Sequence, residues 1–176
     1  MSSSNHTYAL VSEAATHALG AALAAVLKPG LTLYLHGELG AGKTTLVRGI
    51  LRALGHTGPV KSPTYALVEL YVFSGYILYH FDFYRFNRPE EWLEAGLDEH
   101  FNRDSICLVE WPEKAGKLLP PADIDVVIEV LASADDTNAE EPARRITLNA
   151  HSERGTSCLS DLRFTPTQGP STPAAP

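Results

Sequence analysis

At 176 residues, with 44% hydrophobic and 20% charged residues, the chain has the size and composition of one well-buried globular domain. A net charge of −7 and a sequence pI near 5.4 argue against a protein that grips nucleic acid through a broadly basic face, and no stable DNA binding is expected. Two widely separated cysteines, Cys107 and Cys158, form neither a disulfide framework nor a zinc pattern. The chain has no apolar run long enough to span a membrane, and its first residues lack the basic and apolar segments of a signal peptide, so a cytoplasmic protein without membrane contact is the expectation.

The first helix is expected after Ser12, a good N-cap, with Glu13 in its first turn. Ala15, Ala18, Leu19, Ala22, Leu23 and Val26 keep helical spacing until Lys28-Pro29-Gly30 ends the run. A strand over residues 31–36 follows, and then a helix from Lys43 to Leu54 with Leu46, Val47, Ile50, Leu51 and Leu54 on one face and Gly55 as its stop. Arg48 and Arg52 lie on the outer side of that helix as a solvated face.

The turn-forming segment Val60-Lys61-Ser62-Pro63-Thr64-Tyr65 leads into an apolar run over 66–71, and Ser74-Gly75 separates it from a second run over 76–81. Two such runs across a short loop predict an antiparallel hairpin, and therefore a mixed sheet. Residues 89–97 read as a short helix with Pro89 at the start and Gly96 near the end. Ser105 to Pro112 reads as another strand, with Cys107 as a core residue. Final strands are predicted over 125–131 and 144–149, joined by an acidic linker over 133–142 read as a solvated hairpin loop. One domain is expected over residues 1–160, with 1–7 flexible and 161–176 a disordered tail rich in Pro and Thr.

The stretch with chemical content is Gly37-Glu38-Leu39-Gly40-Ala41-Gly42-Lys43-Thr44-Thr45. It matches G-x-x-x-x-G-K-[ST] at every fixed position and stands between a predicted strand and a predicted helix. Its glycines let backbone N–H groups turn around a phosphate, and the helix beginning there presents its positive dipole end. Lys43 can reach the β- and γ-phosphates, and Thr44 offers a hydroxyl to Mg²⁺. The fold class is therefore α/β, a three-layer P-loop NTPase-like fold with a mixed sheet.

Asp82 and Glu110 each close an apolar strand, where a carboxylate can serve the magnesium or the attacking water, so both are candidates. His80 lies two residues before Asp82 and shares its side of an extended strand. A lone histidine at that spacing is more often packed and hydrogen-bonded than a metal ligand. Arg85 is either a phosphate contact or a partner for nearby acids. The Ser62-Pro63-Thr64 turn can bring an oxygen to the metal once a γ-phosphate is present and relax afterwards, which makes it a candidate switch.

Four stretches in order, G-E-L-G-A-G-K-T-T at 37–45, S-P-T-Y at 62–65, Y-H-F-D-F-Y-R at 79–85 and L-V-E-W-P-E-K at 108–114, resemble the bacterial TsaE (YjeE) family over roughly residues 8–150. The resemblance implies a P-loop ATPase using ATP and Mg²⁺ and working with TsaD and TsaB in threonylcarbamoyladenosine modification of tRNA, with tRNA met only through the complex. It implies that Lys43 and Thr44 hold phosphates and metal and that Thr64 belongs to a switch-like loop. It also implies that Asp82 and Glu110 serve the metal and water site, with Trp111 beside them. Two other functions stay open on the residues alone: a small-molecule kinase, and a nucleotide-gated binding module with negligible turnover. Guanine specificity is disfavoured because the chain has no Asn-Lys-x-Asp motif.

Overall fold

Continuous apolar runs and alternating ones sort the strands into the middle and the margins of a single sheet. The computed structural model describes residues 5–131 and 141–166. Among them seven strands are found: β1 Asn5–Leu10, β2 Thr32–His36, β3 Val68–Phe73, β4 Tyr76–Asp82, β5 Ser105–Glu110, β6 Ile124–Val130 and β7 Arg144–Ala150. They form one sheet in the order β1-β7-β6-β2-β5-β4-β3. The four inner strands β6, β2, β5 and β4 are parallel, and every residue of β5 is buried, as a strand covered on both faces requires. Antiparallel partners flank this block, β3 beside β4 on one side and β7 then β1 on the other. The expected hairpin and mixed sheet are thus observed.

One face is covered by α1 Glu13–Ala24, α2 Lys43–Ala53 and α4 Glu153–Asp161. Under them Leu33, Leu35, Ile106, Leu108, Ile124, Val126 and Leu148 meet Leu19, Leu23, Leu46, Ile50 and Leu159 in the larger core. The opposite face carries an aromatic cluster of Phe81, Phe83, Phe86 and Trp92, the last on the short helix α3 Glu91–Glu94. Cys107 lies in this second cluster, where burial pushes its thiol up to about 12, so it stays protonated and acts as a core residue. No helix among the described residues is long and apolar enough to cross a membrane.

The structure departs from the sequence expectation at both ends. Asn5 to Thr7, expected to be flexible, belong to β1, whose backbone pairs with β7 and whose Asn5 amide donates to Asn149 Oδ1 at 2.8 Å. At the other end, a helix that the sequence reading did not anticipate, α4, is capped by the Ser152 hydroxyl and runs through Asp161. Leu162 beyond it is buried, and Phe164 meets Tyr8 edge-on with ring centroids 5.1 Å apart. Apolar contacts made by two side chains therefore hold residues expected to be tail. The rest of the predicted tail, 167–176, most of the acidic linker, and residues 1–4 lie outside the described residues.

Small residues set how closely α1 and α2 approach. A β-carbon on Gly20 would lie 2.7 Å from the Leu46 carbonyl oxygen, and one on Gly49 would lie 2.6 Å from that of His17. Backbone faces backbone at this crossing, so no flexible side chain can yield. Gly49→Ala gains about 1 kcal/mol of helix propensity, but forcing the helices apart costs about 1–3 kcal/mol. A net loss of stability is expected in urea unfolding, and a stabilised variant would contradict the close crossing.

Candidate functional site

Four segments meet at the carboxyl ends of the parallel strands. β2 runs into the glycine loop, β5 ends at Glu110, β4 ends at Asp82, and the 62–64 turn reaches across to β4. The in-register pairing of β4 with β5 sets Asp82 directly beside Glu110. Since β2 has a parallel neighbour on each side, its carboxyl end lies where an open α/β sheet forms its binding crevice.

The loop owes its shape to two glycines. Gly42 stands at φ 113° as the residue before α2, a backbone that side chains rarely adopt, and it leaves the first turn of the helix with no side-chain cap. Gly37 passes so close to β6 that a β-carbon there would sit 2.5 Å from the Ile128 carbonyl oxygen. The remaining loop residues divide by position: Leu39, Gly40, Gly42, Lys43, Thr44 and Thr45 line a cavity of about 270 Å³, while Ala41 is buried behind it. Gly37 and Glu38 act through their carbonyls, which receive the Lys43 ammonium at 2.6 and 2.9 Å.

Lys43 is buried, 4% exposed, and its Nζ also stands 4.0 Å from the centroid of the Trp111 ring. Trp111 adopts a left-handed backbone, φ 58°, on the strand-to-turn exit that follows Glu110. Burial pushes the Lys43 ammonium below the usual lysine range, and the surrounding carboxylates, led by Glu110 and Asp82, oppose that shift without overcoming it.

The two acids have different partners. Glu110 Oε1 accepts the Thr44 hydroxyl at 2.8 Å and His80 Nε2 at 2.8 Å. Asp82 Oδ2 accepts the Ser62 hydroxyl and, at 3.0 Å, the Thr64 hydroxyl, while its Oδ1 accepts the Tyr84 N–H at 2.8 Å. Thus the predicted set Lys43, Thr44, Thr64, Asp82, Glu110 and Trp111 converges on one cavity. Arg85 stacks over Tyr65, 4.2 Å from the ring centroid, and pairs with none of the nearby acids among the described residues. Arg48 is not a free solvated cation either, since it contacts Glu13 Oε1 and the Val60 carbonyl. His80 is packed and hydrogen-bonded, as its spacing suggested.

Three contributors were not singled out as site residues by the sequence, Ser62 entering only as part of the 62–64 turn. Ser62 carried a signal, a second hydroxyl two residues before Thr64 in the same turn. Tyr84 lines the cavity from the segment after Asp82. Arg144 on β7 donates from Nε to the Ala41 carbonyl at 2.9 Å and lies against Gly42, bracing the loop from behind. Nothing local in the sequence links residue 144 to residue 41, because their meeting depends on the strand order.

A glycine loop between a central parallel strand and a helix, with a buried lysine and a threonine at the helix start, defines a P-loop-type α/β protein. The family model for the threonylcarbamoyl adenosine biosynthesis protein TsaE matches residues 10–141, and the chain belongs to the TsaE family. It is 50% identical over 130 residues to the tRNA threonylcarbamoyladenosine biosynthesis protein TsaE of Haemophilus influenzae, covering 74% of this chain and 77% of that one. The Bacillus subtilis protein of the same name is 38% identical over 139 residues, covering 79% and 82%. The crystal structure of Bacillus subtilis YdiB superposes with a TM-score of 0.74 at 32% identity, covering 92% of this chain and 96% of that chain.

The buried lysine makes the site sensitive to alkaline pH in a defined direction. Its affinity for the proton is depressed below the reference value of 10.5, and a phosphate beside it would restore that affinity. A phosphate ligand such as ATP, titrated in at pH just below that value, would therefore draw protons from the buffer if it binds beside Lys43. Calorimetry in two buffers of different ionisation enthalpy reads the uptake, and proton release would contradict it.

Proposed function

We propose that this chain binds and hydrolyses ATP with Mg²⁺ as the nucleotide-driven subunit of tRNA threonylcarbamoyladenosine biosynthesis, supporting a TsaB/TsaD complex that holds the tRNA. The observation that carries the reading is the 2.8 Å bond between the Thr44 hydroxyl and the Glu110 carboxylate, made next to a buried lysine at an uncapped helix start. Membership of the TsaE family supports the biosynthetic role, and the pairing with TsaB and TsaD is carried by the motif resemblance alone.

The oxygen donors Thr44 Oγ1, Glu110 and Asp82 suit a hard cation. Among the described residues no cluster of three or more His, Cys, Asp or Glu side chains forms a protein cage for a metal. A site of one or two carboxylates completed by phosphate and water is the usual arrangement for magnesium. When bound, the metal neutralises charge on the β- and γ-phosphates. The protein's own part is positioning: Lys43 leaves the loop carbonyls for the phosphates, the first N–H groups of α2 receive them, and Glu110 orients Thr44.

Asp82 is the hinge of the proposed response to the γ-phosphate. Its Oδ2 holds both hydroxyls of the Ser62-Pro63-Thr64 turn, so a ligand that competes for Thr64 or for Asp82 loosens the turn. Leu39 and Tyr84 stand exposed at the same cavity and Tyr65 is exposed on the adjoining turn, where a partner can sense the change.

Lys43→Ala is expected to abolish measurable ATP binding, whereas Asp82→Ala and Glu110→Ala retain much of it while phosphate release falls at least tenfold, on the order of the loss from one preorganised charge contact. Phosphate release is measured for the protein alone and with TsaB and TsaD, with no other acceptor added. Release to water distinguishes the reading from a kinase. ATP retained without release even in the complex would leave only a nucleotide-gated binding module.

A further inference from the structure

We propose that His80 is a positioning residue for Glu110, holding one oxygen of that carboxylate so that the other is the one available to Mg²⁺. The proposal rests on the magnesium-nucleotide reading of the site given above and adds a role for a residue which that reading leaves unassigned.

His80 is completely buried on β4, two residues before Asp82, and its Nε2 lies 2.8 Å from Glu110 Oε1. Its Nδ1 is buried with no hydrogen-bond partner. A proton placed on Nδ1 would be a buried donor without an acceptor, so the hydrogen-bond network assigns the proton to Nε2, which donates it to the carboxylate. The direction of the bond follows from chemistry, since an ionised carboxylate only accepts.

The division of labour between the two carboxylate oxygens carries the inference. Both donors, the Thr44 hydroxyl and His80 Nε2, fall on Oε1, and among the described residues Oε2 makes no hydrogen bond. The side chain of Glu110 is 4% exposed and borders the nucleotide cavity. A buried carboxylate anchored by two donors on one oxygen cannot rotate freely, and the other oxygen stays free for a ligand in that cavity. Thr44 is itself drawn toward a nucleotide's metal, so its bond to Glu110 changes when ligand enters. His80, fixed in the strand beneath, is the donor that persists. Hydrogen bonds to metal-ligating carboxylates of this kind set ligand orientation, and losing them commonly costs about 10–100-fold in metal affinity or activity.

A packing role predicts something different, and the test separates the two. Binding of a non-hydrolysable ATP analogue is measured by calorimetry with Mg²⁺ and with EDTA in wild type, His80→Leu, His80→Gln, Glu110→Gln and the Glu110→Gln/His80→Leu double variant. His80→Leu is expected to lose about tenfold or more of the affinity that Mg²⁺ adds while binding in EDTA is unchanged, and His80→Gln, which retains an N–H donor, is expected to recover most of it. In the Glu110→Gln background His80→Leu is expected to have no further effect, because the residue acts through that carboxylate. Equal losses with and without Mg²⁺, a glutamine variant no better than leucine, or additive effects in the cycle would each overturn the proposal. Should His80→Leu fail to fold, the His80→Gln and Glu110→Gln proteins still decide it, since a soluble His80→Gln protein that has lost the whole Mg²⁺ increment denies the donor role. A wild-type protein whose affinity Mg²⁺ does not raise would instead refute the magnesium reading of the site, and the role of His80 with it.

Discussion

The hydrogen bond from Thr44 to Glu110 joins the two halves of the site. One partner is the second residue of α2 and the other is the last residue of β5, so the bond exists only when the helix start and the strand end are held in register. That register comes from the pairing of β2 with β5, and the next pairing, β5 with β4, brings Asp82 to the same edge. The sheet is in this sense the instrument that aligns a lysine and a hydroxyl from the start of α2 with two carboxylates from the ends of β4 and β5.

The charges gathered there would be costly in isolation. Lys43 is neutralised by two loop carbonyls, by the face of Trp111 and by nearby carboxylates, while Asp82 and Glu110 each carry at least two donors. These contacts satisfy the buried charges among themselves, and in the proposed function most would be exchanged for contacts to phosphate and metal. Such a site keeps its shape and still yields to a ligand. Asp82 contacts the half-buried 62–64 turn, whereas Glu110 contacts His80 in the fully buried interior.

Much of the site could be read from the chain because the glycine-loop pattern is defined by local spacing. The glycines, Lys43 and Thr44 follow one another closely, as a single turn of backbone around the proposed phosphate requires. Asp82 and Glu110 were legible as acids ending apolar strands. Ser62 shared a turn with Thr64 and was within reach of the same logic. His80 was correctly read as packed and hydrogen-bonded, yet its partner could not be named, because residue 110 comes beside it only through the parallel pairing of β4 with β5. Arg144 was invisible for the same reason at greater distance. The ends of the fold were missed differently: β1 has too few apolar residues to stand out, and α4 is a short helix whose burial rests on Cys158 and Leu159 with Leu162 just beyond it.

The sequence by itself determined a phosphate loop between a strand and a helix, an α/β class with a mixed sheet, and the acids that end two strands, because each of these follows from local spacing and from hydrophobic periodicity. Only the tertiary structure decided which oxygens of those acids accept hydrogen bonds, that the 62–64 turn is held by Asp82, that His80 and Arg144 stand behind the site, and that residues 5–10 and 153–164 pack onto the domain. These depend on strand order and register, and hydrogen bonds between residues tens of positions apart form only after the sheet has brought them together.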